Sequence, residues 1–386
     1  MKKILISFQQ VGGANALLPL FYRWKTKYEI IVTGKKLVCD NLKKNGVEAR
    51  YFSELGWAVG EGYNKSKWFE ELSPDMVITD TINLSRDPEG IACRELWELS
   101  NEFQVPSLAY VDCWWGYSKR FCLPQENVPP ILPDVIAVVD ELAKDAMVSK
   151  GFPNDRISVL GNPRFEMLAS KLQIRDKKEI YDIKKEMGFM DNAFVLVFVS
   201  QPIEKAMGSA EIWGFTEKTT ICAVIDVLKE LPEQIKKKLM LVIVPHPEDD
   251  VRELRKIVEQ HKPCFSFSLM DMKLSLDLIY IADLIVGMYS ILLTEAVIMQ
   301  RPVLSVQLNQ KREEILVTNM VGATTAIRTK EQLITLLPKA IIEESYRKCM
   351  LDRQNKFKIV PDASGRWASK INYLIGMTGR QKLQAK

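Results

Sequence analysis

Histidine is nearly absent from this chain, with only His246 and His261 among 386 residues. Cysteine occurs seven times, at 39, 93, 113, 122, 222, 264 and 349, with no CxxC pair. With no HxH, HExxH or CxxC, no metal site is expected. The odd, irregular cysteine set excludes a disulfide framework and implies a reducing, cytoplasmic setting. No apolar run approaches the about 18 uninterrupted residues of a membrane-spanning helix. The apolar start at residues 3–8 is stopped by Gln9-Gln10 and followed by glycines, so it reads as a first strand and not as a signal peptide. GxGxxG, GxxxxGK[ST] and GxSxG are all missing, which weakens dinucleotide-binding, P-loop and hydrolase readings. The charge is nearly balanced, 53 basic against 49 acidic residues for a net +4, too little for an obligate nucleic-acid binder.

What the chain does have is enough apolar sequence, 47%, to bury large cores, and more length than one ordinary core absorbs. Short runs rich in branched residues read as strands buried on both faces, at 3–8, 29–33, 76–79, 107–111, 135–139 and 157–160. Helical stretches such as 14–25 and 90–103 lie between them. The alternation starts afresh at 194–200, 239–245, 284–287, 303–306 and 324–327, after a charged boundary segment at 172–192. The pattern predicts an α/β protein of two Rossmann-like, doubly wound parallel-sheet domains facing a central cleft. The expected division is 1–170 for the first domain, 171–355 for the second, and 356–386 for a basic helix crossing back to the first; the resemblance drawn below implies that the first holds an acceptor and the second a nucleotide sugar. That last segment holds seven Lys or Arg against one acid, Asp362.

Ligands of such sheets bind beyond the carboxyl ends of the strands, which selects the candidate residues. Gly12-Gly13-Ala14-Asn15 follows the first strand and opens a helix, either as a ligand loop or as a plain tight turn. Asp80 ends the strand at 76–79. Asp112 ends the strand at 107–111 and leads into the aromatic block Trp114, Trp115, Tyr117 with Arg120. A carboxylate there can take a proton from an acceptor hydroxyl, and the rings can stack on a sugar or pack in the core. Gly161-Asn162-Pro163-Arg164 ends the first domain, with Arg164 placed to meet a phosphate or simply leading into the linker.

In the second half, Ser200-Gln201-Pro202 and Pro245-His246-Pro247 each end a strand. His246 can donate to a phosphoryl or sugar oxygen, move a proton or serve as a cap. Gly287-Met288-Tyr289-Ser290 ends another strand, with Glu295 in the following helix. Amides near Ser290 suit a pyrophosphate and a carboxylate suits ribose hydroxyls, while Ser290 as a helix cap and Glu295 as an ordinary helix residue are the plainer alternatives.

Taken in order, Gly161-Asn162-Pro163, His246-Pro247, Gly287-Met288-Tyr289-Ser290 with Glu295, and Arg301-Pro302-Val303 resemble the GT-B superfamily of nucleotide-sugar glycosyltransferases. They also resemble its relatives, the UDP-N-acetylglucosamine 2-epimerases and the CDP-glycerol glycerophosphotransferases. The resemblance implies a metal-independent glycosyltransferase with no resident cofactor, using a nucleotide-sugar donor (UDP-linked) and a glycan, lipid-linked or small-molecule acceptor in cell-surface polysaccharide biosynthesis. Asp112 or Asp80 would be the base and His246 a further catalytic group. Gly161, Asn162, Arg164, Ser200, Gln201, His246, Met288, Tyr289, Ser290 and Glu295 would hold the nucleotide sugar. Gly12, Gly13, Asn15, Trp114, Tyr117 and Arg120 would hold the acceptor. The alternatives are a 2-epimerase or hydrolase and a glycerophosphotransferase-like enzyme. Against the epimerase, Tyr289-Ser290-Ile291-Leu292-Leu293-Thr294-Glu295 stands where that family has Ser-Gly-Gly-x-x-Glu-Glu, and its histidine-rich acid/base set is missing. Expected partners extend to a second copy of the chain and, through the apolar, basic stretch at 17–27, to peripheral contact with the inner face of a membrane.

Overall fold

In the computed structural model the chain forms two compact units, one of Met1–Met167 with Ile359–Lys386, the other of Leu168–Lys358. The residues described are 1–56, 64–84, 90–123, 125–127, 129–171, 176–270 and 275–376. The first unit is built on seven parallel strands: β1 (Lys2–Phe8), β2 (Tyr28–Gly34), β3 (Arg50–Tyr51), β4 (Met76–Asp80), β5 (Ser107–Val111), β6 (Val135–Val138) and β7 (Ile157–Val159). They lie in the order β3-β2-β1-β4-β5-β6-β7. The second unit has six parallel strands: β8 (Phe194–Val199), β9 (Leu239–Val244), β10 (Ser266–Leu269), β11 (Leu284–Gly287), β12 (Val303–Val306) and β13 (Thr325–Ile327). Their order is β10-β9-β8-β11-β12-β13.

Both sheets are doubly wound, as the strand pattern predicts, because helices cover both faces and the central strands bury every side chain. In β4, all of Met76–Asp80 is buried. Strand order reverses between β1 and β4 in the first sheet and between β8 and β11 in the second, so each unit has one switch point where the flanking chains diverge. Register at these points pairs Ser7 with Thr79 and Val199 with Gly287. The residues just beyond them therefore sit side by side.

Two strands escape the sequence pattern, β3 and β10, and both are sheet edges. The two residues of β3 are too few to show a period. In β10 the sequence Ser-Phe-Ser-Leu alternates, with its first residue exposed and the rest half-buried, and so lacks the continuous apolar run of a central strand. The boundary segment expected at 172–192 contains a helix, Lys177–Glu186, capped by the Asp176 carboxylate on the Lys178 amide; residues 172–175 lie outside the described set.

The C-terminal segment returns to the first unit through the helix Ala363–Gly376. It buries Ala363, Trp367, Ile371 and Leu374, one face at helical spacing. The Trp367 ring meets Tyr110 edge-on at 5.3 Å and Trp24 at 6.3 Å. Of the basic residues expected there, Arg380, Lys382 and Lys386 lie outside the described residues.

The helix Val11–Trp24 turns Ala14, Leu17, Leu20, Phe21 and Trp24 inward. The apolar face of the stretch expected to meet a membrane, 17–27, is thereby used in packing, with Tyr22, Arg23, Lys25 and Lys27 left exposed. Among the described residues no helix is long and apolar enough to cross a membrane.

Candidate active site

The switch point of the first unit gathers two carboxylates, a guanidinium and the first turn of a 14-residue helix. Asp80 closes β4. Its Oδ1 accepts the Gln9 amide at 2.9 Å, and its Oδ2 accepts the Gln9 and Gln10 amides at 3.0 and 2.8 Å. Gln9 and Gln10 break the apolar run of β1, and their N–H groups hold the carboxylate where the helix begins. Gly12 and Gly13 make the room. A Cβ on Gly13 would fall 2.8 Å from Asp80 Cβ, and one on Gly12 would fall 3.1 Å from Asp112 Oδ2. These glycines serve close approach; neither adopts a positive φ.

Arg120, 6% exposed, is the counter-charge. It donates to the Thr81 carbonyl at 2.7 Å and Oγ1 at 3.3 Å, and lies 4.0 Å from Asp112 Oδ1. Burial pushes Asp80 up to about 7, helped by the Asp112 charge and opposed by the Gln9 and Gln10 amides and Arg120. Asp112 is likewise raised by burial and held back by Arg120. One member of this pair therefore exchanges a proton near neutral pH, the property a general acid/base needs. The Cys93 thiol, 3.8 Å from Asp80 Oδ1, stays protonated because burial and the neighbouring carboxylate raise it. No sequence motif marks Thr81 or Cys93 as a site residue, and the end of an apolar run is the only signal for Gln9 and Gln10.

Four of the acceptor-side expectations are corrected. Trp114 is 7% exposed, stacks on Phe165 at 6.4 Å, and donates its Nε1 hydrogen to Asp140 at 2.7 Å. Tyr117 is 1% exposed. Both are core residues, leaving half-buried Trp115, with Arg120 5.8 Å from its ring centre, as the ring of the block nearest to hand. Arg120 is turned inward to Thr81 and Asp112, where it tunes the carboxylates and offers no surface for an acceptor. Asn15 accepts a hydrogen bond from Asn41 at 2.9 Å and so ties two helices together.

Gly161 and Asn162 also find structural employment. Gly161 has φ +78°, a Cβ there would come within 2.9 Å of Ala363 Cβ, and its carbonyl accepts Trp367 Nε1–H at 3.2 Å. It makes way for the returning C-terminal segment. Asn162 Oδ1 accepts the Arg164 amide at 3.0 Å and starts the helix Pro163–Lys171.

In the second unit the switch point brings Ser200-Gln201 beside Met288-Tyr289-Ser290. Gln201 Oε1 accepts the Tyr289 amide at 3.1 Å. Ser200 is 2% exposed, and its hydroxyl has no partner among the described residues. Ser290 caps the helix Ile291–Ile298: its Oγ accepts the Leu292 amide at 3.3 Å and its carbonyl the Leu293 amide at 3.0 Å. The Ser290 and Ile291 amides are left without a helical acceptor, the usual condition for anion binding at a helix start. The Tyr289 ring packs on Trp213 at 5.8 Å and Phe215 at 6.4 Å.

Met288 corrects another expectation, since its side chain is wholly buried in the core of the second unit. Glu295 is 3% exposed, carried inward by a helix that is apolar nearly all round. His246 follows β9. Its amide donates to Asp249 at 2.8 Å and its Nδ1 accepts the Glu248 amide at 3.2 Å, so it does cap a turn. Burial lowers its pKa, and a neutral ring with Nδ1 accepting carries its hydrogen on Nε2, ready to donate.

Two doubly wound parallel sheets in tandem define the GT-B-like class of fold. No family model matches the sequence, and no curated protein matches it. Solved structures do. UDP-GlcNAc 2-epimerase from Neisseria meningitidis bound to UDP-GlcNAc superposes with TM-score 0.69 at 15% identity, over 96% of this chain and 100% of that one. The S. aureus MnaA–UDP structure gives 0.67 at 17%, over 98% of both chains. Anabaena HepE in complex with UDP-glucose gives 0.61 at 13%, over the whole of both. At these identities the likeness establishes the fold.

Proposed function

We propose that the chain is an enzyme acting on a UDP-linked sugar, with the second unit holding the diphosphate at Ser290 and the first supplying proton transfer through Asp80 and Asp112. The observation that carries this reading is the carboxylate pair itself, buried Asp80 and half-buried Asp112 at the switch point, with Asp80 poised at about 7. Support for the ligand class comes from fold neighbours solved with UDP-GlcNAc, UDP and UDP-glucose. Both histidines belong to the second unit, so carboxylates are the natural acid and base of the first.

A pair that takes the C2 proton while the C1–O bond to the diphosphate breaks, and then returns a proton to the opposite face of C2 while an oxygen adds back at C1, isomerises the sugar; a pair that activates water hydrolyses it. Neither consumes an acceptor. We therefore place the 2-epimerase or hydrolase reading ahead of glycosyl transfer. Transfer keeps one observation in its favour: Tyr289-Ser290-Ile291 stands where the epimerase motif has Ser-Gly-Gly, leaving a bulkier turn there. Incubation with UDP-GlcNAc in D2O, followed by NMR, separates them. Deuterium at C2 of an epimerised sugar, or release of the sugar from UDP with no acceptor present, supports the first reading. Turnover seen only after an acceptor is added supports the second and overturns the first.

A further inference from the structure

Along the ligand-facing edge of the second sheet, four consecutive strand ends are joined by a chain of side-chain hydrogen bonds. After β13, Arg328 Nη1 donates to Gln307 Oε1 at 2.6 Å, and its Nη2 reaches the Glu314 carboxylate. After β12, Gln307 Nε2 donates to the Met288 carbonyl at 2.9 Å, and Ser305 Oγ donates to that same carbonyl at 2.6 Å. From the end of β8, Gln201 Oε1 accepts the Tyr289 amide. The Met288 carbonyl and the Tyr289 amide are the two ends of one peptide group. That group, one residue ahead of Ser290, is thus clamped on both sides by neighbouring strands.

The polarity of the chain is fixed chemically. A guanidinium only donates, so the Gln307 atom facing Arg328 must be oxygen, which turns its NH2 to Met288. An amide N–H likewise requires oxygen from Gln201, and its own NH2 must turn elsewhere. Satisfaction is complete around Ser305, which donates to Met288 and accepts from Gln307 at 2.9 Å and Asn319 at 3.0 Å. Glu314 accepts the Ile315 and Leu316 amides at 2.9 and 2.8 Å and Asn319 at 2.8 Å, besides Arg328. A buried network in which each partner is paired is stiff and holds one arrangement. Gln307 is 0% exposed, whereas Arg328, at 33% side-chain exposure, stands at its outer end.

We infer that Gln307, Arg328 and Glu314 are positioning residues for diphosphate binding: they lock the 288–289 peptide and so aim the Ser290 and Ile291 amides. This rests on the reading that Ser290 receives the diphosphate. The ligand contacts the turn, not these side chains, so their loss should weaken binding with little change in the chemical step.

The test is calorimetric titration of UDP into the full-length chain. Gln307→Leu and Arg328→Leu should each raise the UDP Kd roughly tenfold, about the loss of one well-made hydrogen bond, and raise KM by a similar factor with kcat within twofold. Arg328 is near the surface, so its variant folds even if the Gln307 variant does not. Gln354→Leu is the control. It removes an equally buried amide that donates to the Arg301 carbonyl at 2.8 Å, outside the network, and should lower thermal stability while leaving the Kd in place. If wild type fails to bind UDP, the functional reading itself falls. If wild type binds and the folded Arg328→Leu protein binds equally well, or Gln354→Leu weakens binding as much, the positioning role is overturned.

Discussion

Gly13 lies so close to Asp80 that a methyl group on it would meet the aspartate Cβ at 2.8 Å and Oδ2 at 3.0 Å. Asp80 cannot retreat, because it is the last residue of a fully buried central strand and is tied to the Gln9 and Gln10 amides. In an ordinary helix interior Gly→Ala gains about 1 kcal/mol. Here the overlap reverses the sign. Gly13→Ala should cost roughly 1–3 kcal/mol of stability and, by moving the carboxylate, reduce turnover of a UDP-sugar by at least about tenfold. Thermal unfolding and steady-state kinetics check it; a stabilised, fully active variant would show that the helix start yields freely.

The raised pKa of Asp80 makes a statement about stability as well as chemistry. A carboxyl whose folded pKa is about 7, against an ordinary value near 3.9, favours the folded state at low pH. That contribution is fully present below the ordinary value and is lost as pH rises to about 7. The melting temperature should accordingly fall between pH 4 and pH 7 beyond what other groups impose, and Asp80→Asn should flatten this part of the profile. Over the same range kcat/KM should climb to a plateau above pH 7 if Asp80 works as the base. Parallel melting profiles for wild type and Asp80→Asn would contradict the assignment.

Asp80 and Asp112 were legible in the sequence because each directly ends an apolar run, and in a parallel sheet a strand's last residue is at the ligand edge. The strands themselves were legible for the same reason, β5 and β11 to the residue. The clamp around Met288 was not, since it depends on which strands are neighbours: Gln201, Met288, Gln307 and Arg328 are spread over more than a hundred positions and share no motif. The aromatic block misled because Trp114 looks equally suited to a sugar or a core. What decides is Phe165 and Asp140, each supplied by a later βα unit. Local pattern reports that a residue stands at a strand end; only the packing of distant elements reports which way it faces.

Gly161 is the plainest instance, and it supplies a separating experiment. The resemblance places Gly161 with the nucleotide sugar, whereas in the structure it has φ +78° and a Cβ on it would meet Val360 and Ala363 of the returning segment. Gly161→Ala should cost roughly 2–4 kcal/mol, combining a left-handed backbone with the overlap at 2.9 Å. The UDP Kd of the folded fraction should stay unchanged. Adding Ala363→Gly removes the methyl that the new Cβ meets and should recover the overlap part of the loss, though not the backbone part, so the two changes should be non-additive in a double-mutant cycle. Chemical denaturation of the four proteins measures that coupling. A Gly161→Ala protein of wild-type stability with weakened UDP binding would return this glycine to the ligand site.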